Sequence, residues 1–204
     1  MKLIFDFDNT LFYEDPFAVQ IRTGFAVCGV PEDIYQATRK EAFEGEVWRQ
    51  FRHMERMAAQ SCIPIEHLEH ALDRIIRRAH IFLYPDVAPF LQQTYNTHPM
   101  SLLTFGDSKF QCMKIEGAGI SGFFQDIIVT ENIRKDTDAH MLSKGEPALF
   151  VEDNPHALEA VKAHAPHIIT VRMRRGHGKY ADKPSGNGVD YEITSLNELH
   201  TFLI

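Results

Sequence analysis

Five short apolar runs, KLIFDF at 2–7, MSLLTF at 100–105, DIIVT at 126–130, ALFVE at 148–152 and HIITVR at 167–172, punctuate this chain. Between the last four, and just ahead of them, lie segments of helical character at about 86–96, 107–117, 136–143 and 155–164. Strands that are apolar almost throughout have no side to offer to water, so helices must cover both faces of the sheet they form. The alternation therefore predicts an α/β fold, a Rossmann-like, doubly wound parallel sheet whose ligands bind beyond the carboxyl ends of the strands. Asn154 and Pro155 mark the start of the last helix as an N-cap followed by proline at the first helical position. No internal repeat and no low-complexity segment interrupts the pattern.

One stretch breaks it. Residues 14–83 show helical periodicity in PEDIYQATRKEAFEGEVWRQFRHMERMAAQ and PIEHLEHALDRIIRRAHIFL and no convincing strand. They read as an all-helical cap, inserted after the first strand and ended near Tyr84 and Pro85, where proline forbids simple helix continuation. The core is then 1–13 plus 84–204. A connection that leaves the end of strand one starts at the ligand-binding edge, which suits a lid better than a surface extension.

Composition narrows the function. With 21 Lys and Arg against 28 Asp and Glu the net charge is -7, and there is no basic tail, which argues against holding nucleic acid by bulk electrostatics. A small substrate fits better. No apolar run approaches the roughly 18 to 20 residues that span a bilayer, and MKLIFDFDNT carries charges where a signal peptide would be apolar, so a soluble cytoplasmic protein is expected. Cys28, Cys62 and Cys112 are odd in number, form no C-x-x-C pair and sit in apolar contexts; they read as reduced thiols packed in the core. Among the histidines only HLEH at 67–70 has the spacing of a helical metal pair, and no third ligand lies near it in sequence. Oligomeric state leaves no mark in the sequence.

The chemistry gathers where strands stop. The first strand ends in Asp6, Phe7, Asp8, Asn9 and Thr10, and the strand at 148–152 ends in Glu152, Asp153 and Asn154. Two unit charges about 4 Å apart repel by about 4 kcal/mol at an effective dielectric near 20. Four carboxylates at one sheet edge therefore need a cation, unless some take up protons. The candidate ligands are all oxygens, which selects Mg2+ over Zn2+. The plainer reading, a turn at Asp8-Asn9 and a helix cap at Glu152-Asp153, accounts for one acid of the second pair and leaves the other idle. Thr104, Phe105 and Gly106 end another strand with a hydroxyl and a glycine that lets backbone amides approach a phosphate oxygen, although most Thr-x-Gly turns are only turns. Lys135, in TENIRKD, offers a cation near a helix start; alone it reads as a solvated lysine.

As a set, DFDNT at 6–10, LLTFG at 102–106, Lys135 and FVEDNPHAL at 150–158 resemble the four motifs of the haloacid dehalogenase superfamily, in the same order and at the same strand ends. The resemblance spans roughly residues 1–172, and the insertion at 14–83 is similar to the family's helical cap. Lys144 rivals Lys135 but abuts the last motif strand, which favours Lys135. The resemblance implies that Asp6 attacks phosphorus to form an aspartyl-phosphate that water hydrolyses, with Asp8 as acid and base. Thr104, Asn9, Phe105 and Gly106 would bind the phosphoryl group, and Lys135 would neutralise nucleophile and phosphate. Mg2+ would be held by Asp6, the backbone carbonyl of Asp8 and Asp153, with Glu152 a ligand directly, a ligand through water, or an acid behind the ligands. Members of the superfamily that cleave carbon–halogen or carbon–phosphorus bonds, and the ion pumps, lack an aspartate at the position of Asp8. That residue points to a phosphoric monoester hydrolase or a phosphomutase.

Two further clusters are open to two readings each. Trp48, Arg49, Arg52, His53 and Arg56 fall on neighbouring helical turns and offer a substrate one aromatic wall and one or two cations; alternatively Trp48 and Phe51 pack the cap while the arginines pair with Glu44, Glu46 and Glu55. Arg172, Arg174, Arg175, His177 and Lys179 follow the fifth strand, either as an anion contact or as a solvated or dimer-contact loop. The expectation is a Mg2+-dependent phosphatase acting on a small phosphorylated metabolite. A sugar phosphomutase shares the same core residues. A non-enzymatic phospho-accepting switch or Mg2+-binding module is the rival from another class, but receiver domains place the accepting aspartate after a later strand and lack a helical insertion.

Overall fold

The computed structural model describes residues 1–203. In chain order, β1 (Lys2–Phe5) is followed by α1 (Glu14–Val27), α2 (Glu32–Glu41), β2 (Phe43–Glu44), β3 (Val47–Trp48), α3 (Gln50–Ser61) and α4 (Ile65–Ile76). Then come α5 (Val87–Thr94), β4 (Met100–Phe105), α6 (Ser108–Gly117), β5 (Asp126–Thr130) and α7 (Asp136–Ser143). The chain closes with β6 (Ala148–Glu152), α8 (Pro155–His164), β7 (Ile168–Met173) and β8 (Tyr191–Ile193). Two compact units result: Met1–Glu14 with Leu83–Phe105 and everything from Ile120 on, and Asp15–Phe82 with Gly106–Gly119.

The first unit is a six-stranded sheet in the order β5-β4-β1-β6-β7-β8, and every neighbouring pair is parallel. This is the Rossmann-like α/β core that the apolar runs predict. Every residue of β6 is buried, as a central strand covered on both faces requires. Ile4, Leu103 and Phe150 of the sheet pack with Leu142 of α7 and with Leu158 and Val161 of α8. From β1 the chain passes outward through β4 to β5, then returns to β6 on the opposite side of β1. At such a switch the flanking connections diverge and leave a crevice at the carboxyl ends of the two strands, here beside Asp6 and Glu152. β8 escaped the sequence reading because it has only three residues, two of them exposed, and so shows no hydrophobic period.

The second unit corrects the expectation of an all-helical insertion. Phe43 pairs with Trp48 and Glu44 with Val47 in an antiparallel hairpin, closed through Gly45 at φ +60°. Strands of two residues are too short to carry a period of two, so the helical pattern on either side hides them. Helix α6, which follows β4 in sequence, also belongs to this unit. Its Phe110 lies 6.2 Å from the ring of Phe17 and 5.9 Å from that of Trp48, and the Lys109 ammonium sits 3.7 Å from the centre of the Phe51 ring.

Gly117 sets how closely α6 approaches α4. A Cβ built there would lie 2.2 Å from the carbonyl oxygen of Ile76, a backbone atom that cannot swing aside. Alanine normally stabilises a helix relative to glycine by roughly 0.5–1 kcal/mol. Gly117→Ala should instead destabilise by about 1–3 kcal/mol through overpacking, read as a lower urea midpoint at unchanged m-value. A rise in the midpoint would show that the two helices are free to separate.

The cysteines differ from expectation. Cys28 is half-buried, Cys62 and Cys112 are exposed, and all three are free, so two of the thiols are on the surface rather than in the core. Cys62 caps α3 in the left-handed region at φ +56°, and Cys112 lies on an outward face of α6, so apolar neighbours in sequence do not bury them. No helix among the described residues is long and apolar enough to cross a membrane.

Candidate active site

The chain leaves β1 at Asp6, whose N–H still donates to Val151 at 2.9 Å, and turns at once. The N–H groups of Leu11 and Phe12 both donate to the carbonyl of Phe7 at 2.9 Å, while Asn9 N–H donates to the carbonyl of Phe12 at 2.6 Å. Asn9 stands at φ +59°, a left-handed conformation that asparagine tolerates better than most residues. The buried rings of Phe7 and Phe12 stack at 4.8 Å beneath the turn. An aromatic pair thus pins the short loop that carries both Asp6 and Asp8.

At the end of β6, Asn154 caps α8 by accepting from His156 N–H at 3.1 Å, and Glu152 Oε1 accepts from Asn154 N–H at 3.0 Å. Lys135 comes from the β5–α7 connection. There Asn132 Oδ1 accepts from Arg134 N–H at 3.1 Å, and the Asn132 amide donates to Asp136 Oδ1 at 2.9 Å. Lys135 itself sits at φ +56° at the head of α7 and is 4% exposed. Its ammonium donates to Asp6 Oδ1 at 2.5 Å and to Glu152 Oε2 at 2.6 Å.

One carboxylate oxygen each from Asp6, Glu152 and Asp153 lies within 4.8 Å of the others. Burial, then the charge of Glu152, pushes the Asp6 carboxyl up to about 7. Burial, then the charges of Glu152 and Asp6, holds Asp153 well above the ordinary carboxylate range. Burial acts against the Lys135 ammonium, but the charges of Asp6 and Glu152 outweigh it and hold the lysine above its usual value. Two buried acids and the half-buried Asp153 thus share a single lysine, leaving negative charge in excess. The donors are oxygens only, a set that fits a hard divalent cation such as Mg2+ and no soft one.

These groups border a cavity of about 150 Å³ that is also lined by Asp8, Asn9, Thr104 and Phe105. The ends of β1, β4 and β6 and the loop after β5 therefore meet at one place. Gly106 is not among the lining residues; at φ +145° the side on which it lacks a Cβ faces the Gln111 side chain at 3.2 Å. Trp48, Arg49 and Arg52 belong to the second unit. There Arg49 and Arg52 both pair with Glu44, at 3.0 and 2.6 Å, and the Trp48 ring meets those of Phe110 and His53.

Ile133, Asn154, Lys179 and Tyr180 also line the cavity. Lys179 carried a signal as part of the basic stretch; Tyr180 and Ile133 carried none. The arginines of that stretch turn to the chain itself. Arg172 is buried and donates to Ser185 Oγ and to the carbonyl of Tyr180, and Arg174 pairs with Glu192 at 3.4 Å. Arg175 pairs with Asp86 at 2.8 Å.

No protein-family model matches the sequence, and no curated protein does. Solved structures match over nearly the whole chain. A 2-haloacid dehalogenase from Pseudomonas syringae is 17% identical, with 99% of this chain and 97% of that one covered and a TM-score of 0.71. The chain has the haloacid dehalogenase fold. The same fold is seen in a haloacid dehalogenase-type phosphatase from Thermococcus onnurineus, 18% identical with 100% and 98% covered and a TM-score of 0.65. It is seen again in the hydrolase YfnB from Bacillus subtilis, bound to magnesium, at 20% identity, 99% and 97% covered and a TM-score of 0.65. A haloacid dehalogenase fold thus serves both dehalogenases and phosphatases, and the reaction must be argued from the side chains.

Proposed function

We propose that the protein is a hydrolase of the haloacid dehalogenase superfamily that releases phosphate from a small phosphorylated metabolite, with Asp6 as nucleophile and Mg2+ as cofactor. The observation that carries this reading is the one cavity lined by Asp6, Asp8, Thr104, Lys135 and Asp153. A carbon–halogen bond breaks to give a halide, which needs no proton and no cation. A phosphate ester breaks to give an alkoxide, which needs a proton, and builds charge on the phosphoryl oxygens, which needs cations. The second carboxyl on the Asp6 loop and the surplus of acidic oxygens answer those two needs.

In the proposed reaction an Asp6 carboxylate oxygen bonds to phosphorus as the ester P–O bond breaks, and Asp8 gives its proton to the departing oxygen. Asp8 then takes a proton from water as that water attacks the aspartyl-phosphate, freeing Asp6 and inorganic phosphate. Thr104 donates to a phosphoryl oxygen. Lys135 holds the Asp6 carboxylate by Oδ1 and lowers the repulsion between it and the incoming phosphate. Both oxygens of Glu152 already accept hydrogen bonds, from Lys135 and from Asn154 N–H, so Glu152 serves chiefly to hold the lysine. Asp6, Asp153 and the backbone carbonyl of Asp8 are the groups we assign to Mg2+, which when bound balances charge on the phosphoryl oxygens.

The test is inorganic phosphate release from a panel of phosphorylated metabolites with Mg2+ and with EDTA. Release with Mg2+ and loss with EDTA are expected; no release from any member would end the proposal, and isomerisation of a sugar phosphate with little release would identify a mutase. Mg2+ should also raise Tm. At a hundredfold excess over its Kd a ligand bound only by the native state adds about 2.7 kcal/mol. For a chain of this size that is roughly 5–10 °C. An unchanged Tm at saturating Mg2+ would show that the carboxylates hold no cation.

A further inference from the structure

Arg175 lies two residues beyond β7 and far from every motif in sequence, yet it grips the loop that carries the acids. Its side chain is 6% exposed. Nε and one terminal nitrogen both donate to the carbonyl of Thr10, at 3.1 and 3.0 Å. The other terminal nitrogen donates to Asp86 Oδ2 at 2.8 Å and to the carbonyl of Thr194 at 3.1 Å. The guanidinium carbon stands 4.3 Å from the centre of the Tyr84 ring. A planar guanidinium with all three nitrogens hydrogen-bonded and one face on an aromatic ring is a rigid strut, which a lysine cannot imitate.

What the strut holds is the far end of the turn from Asp6 to Phe12. Thr10 follows Asn9, the residue in the left-handed conformation. Asp8 and Asn9 line the acidic cavity. Two further contacts from the same segment reach this loop. Gly178 stands at φ +85°, which favours glycine, and a Cβ there would lie 2.5 Å from the Asn9 amide nitrogen and push that side chain aside. The ring of His177 lies 4.7 Å from that of Tyr13, which also stacks on Tyr84 at 5.2 Å. The segment 175–178 is thus laid along residues 9–13, and the next two residues, Lys179 and Tyr180, enter the cavity wall.

We infer that Arg175 is a positioning residue for the reaction: through the Thr10 carbonyl it fixes the turn that aims Asp8 at the leaving oxygen. This rests on the phosphatase reading above. A group that acts through placement affects turnover more than substrate binding, because small displacements of reacting groups reduce rate steeply.

The experiment compares Arg175→Gln with Asp86→Asn. Both break the Arg175–Asp86 ion pair and should lower Tm, but only the first removes the hydrogen bonds to Thr10. With p-nitrophenyl phosphate and Mg2+, Arg175→Gln should lower kcat by roughly tenfold to a hundredfold with KM changed less than about threefold. Asp86→Asn should keep kcat within about threefold of wild type, and Arg175→Lys, able to reach one partner at a time, should fall between them. Hydrogen exchange of the peptide covering residues 5–13 should accelerate in Arg175→Gln and not in Asp86→Asn. Equal kcat losses in the two variants, or equal exchange, would reduce Arg175 to a structural residue and overturn the inference. If the wild type itself releases no phosphate, the phosphatase reading fails, while the exchange comparison still decides whether Arg175 holds the loop.

Discussion

Asp6→Asn should abolish phosphate release, by on the order of 10⁴-fold or more, because an amide cannot form the covalent intermediate. The fold should survive. The site disfavours charge at this position, as the rise of the Asp6 carboxyl to about 7 shows, so a neutral isostere relieves repulsion with Glu152 even as Lys135 loses one partner. Circular dichroism and a urea midpoint within about 1–2 kcal/mol of wild type would establish an intact protein. Turnover in Asp6→Asn within tenfold of wild type, in a preparation free of contaminating phosphatase, would refute the assignment of the nucleophile.

Lys135→Met should be strongly destabilising and should also silence the enzyme. The ammonium touches Asp6 at 2.5 Å and Glu152 at 2.6 Å, and side-chain exposure is 5% or less at all three residues. Methionine matches the length of the lysine stem but leaves two buried carboxylates without their cation. Removing one member of a buried ion pair costs about 3–5 kcal/mol. Added Mg2+ should recover part of that loss, since a cation held by Asp6 and Asp153 relieves the same repulsion. Urea denaturation with and without Mg2+ reads both effects. A loss below about 1 kcal/mol would mean that the carboxylates had already taken up protons, and that the lysine is not what keeps them charged.

Much of this was legible in the chain. Five apolar runs became five of the six strands of the parallel sheet, and four helical segments were found to within a few residues, because periodicity is a local property that a strand or helix must obey wherever it ends up. The acid pairs at 6–8 and 152–153 were recognisable because strand ends are where such a sheet exposes side chains to a ligand. The hairpin at 43–48, β8 and the exposed thiols were not, since each depends on a few residues and on what packs against them.

The choice between Lys135 and Lys144 shows where local information stops. Both are cations flanking α7, both stand in the left-handed region, and sequence distance alone separated them. Folded, one ammonium is buried between Asp6 and Glu152 and the other lysine is exposed at the C-cap. Arg175 lay further out of reach, for its partners are 165 residues away at Thr10 and 89 away at Asp86. The order of apolar and polar residues by itself determined the layers of the first unit, its alternation of strands with helices and the edge at which acids collect, because burial of apolar surface is read along the chain. Only the tertiary structure decided which lysine meets the acids, which arginine braces their loop and which side chains close the cavity. Those depend on directed contacts of a few ångströms between segments that no sequence pattern brings together.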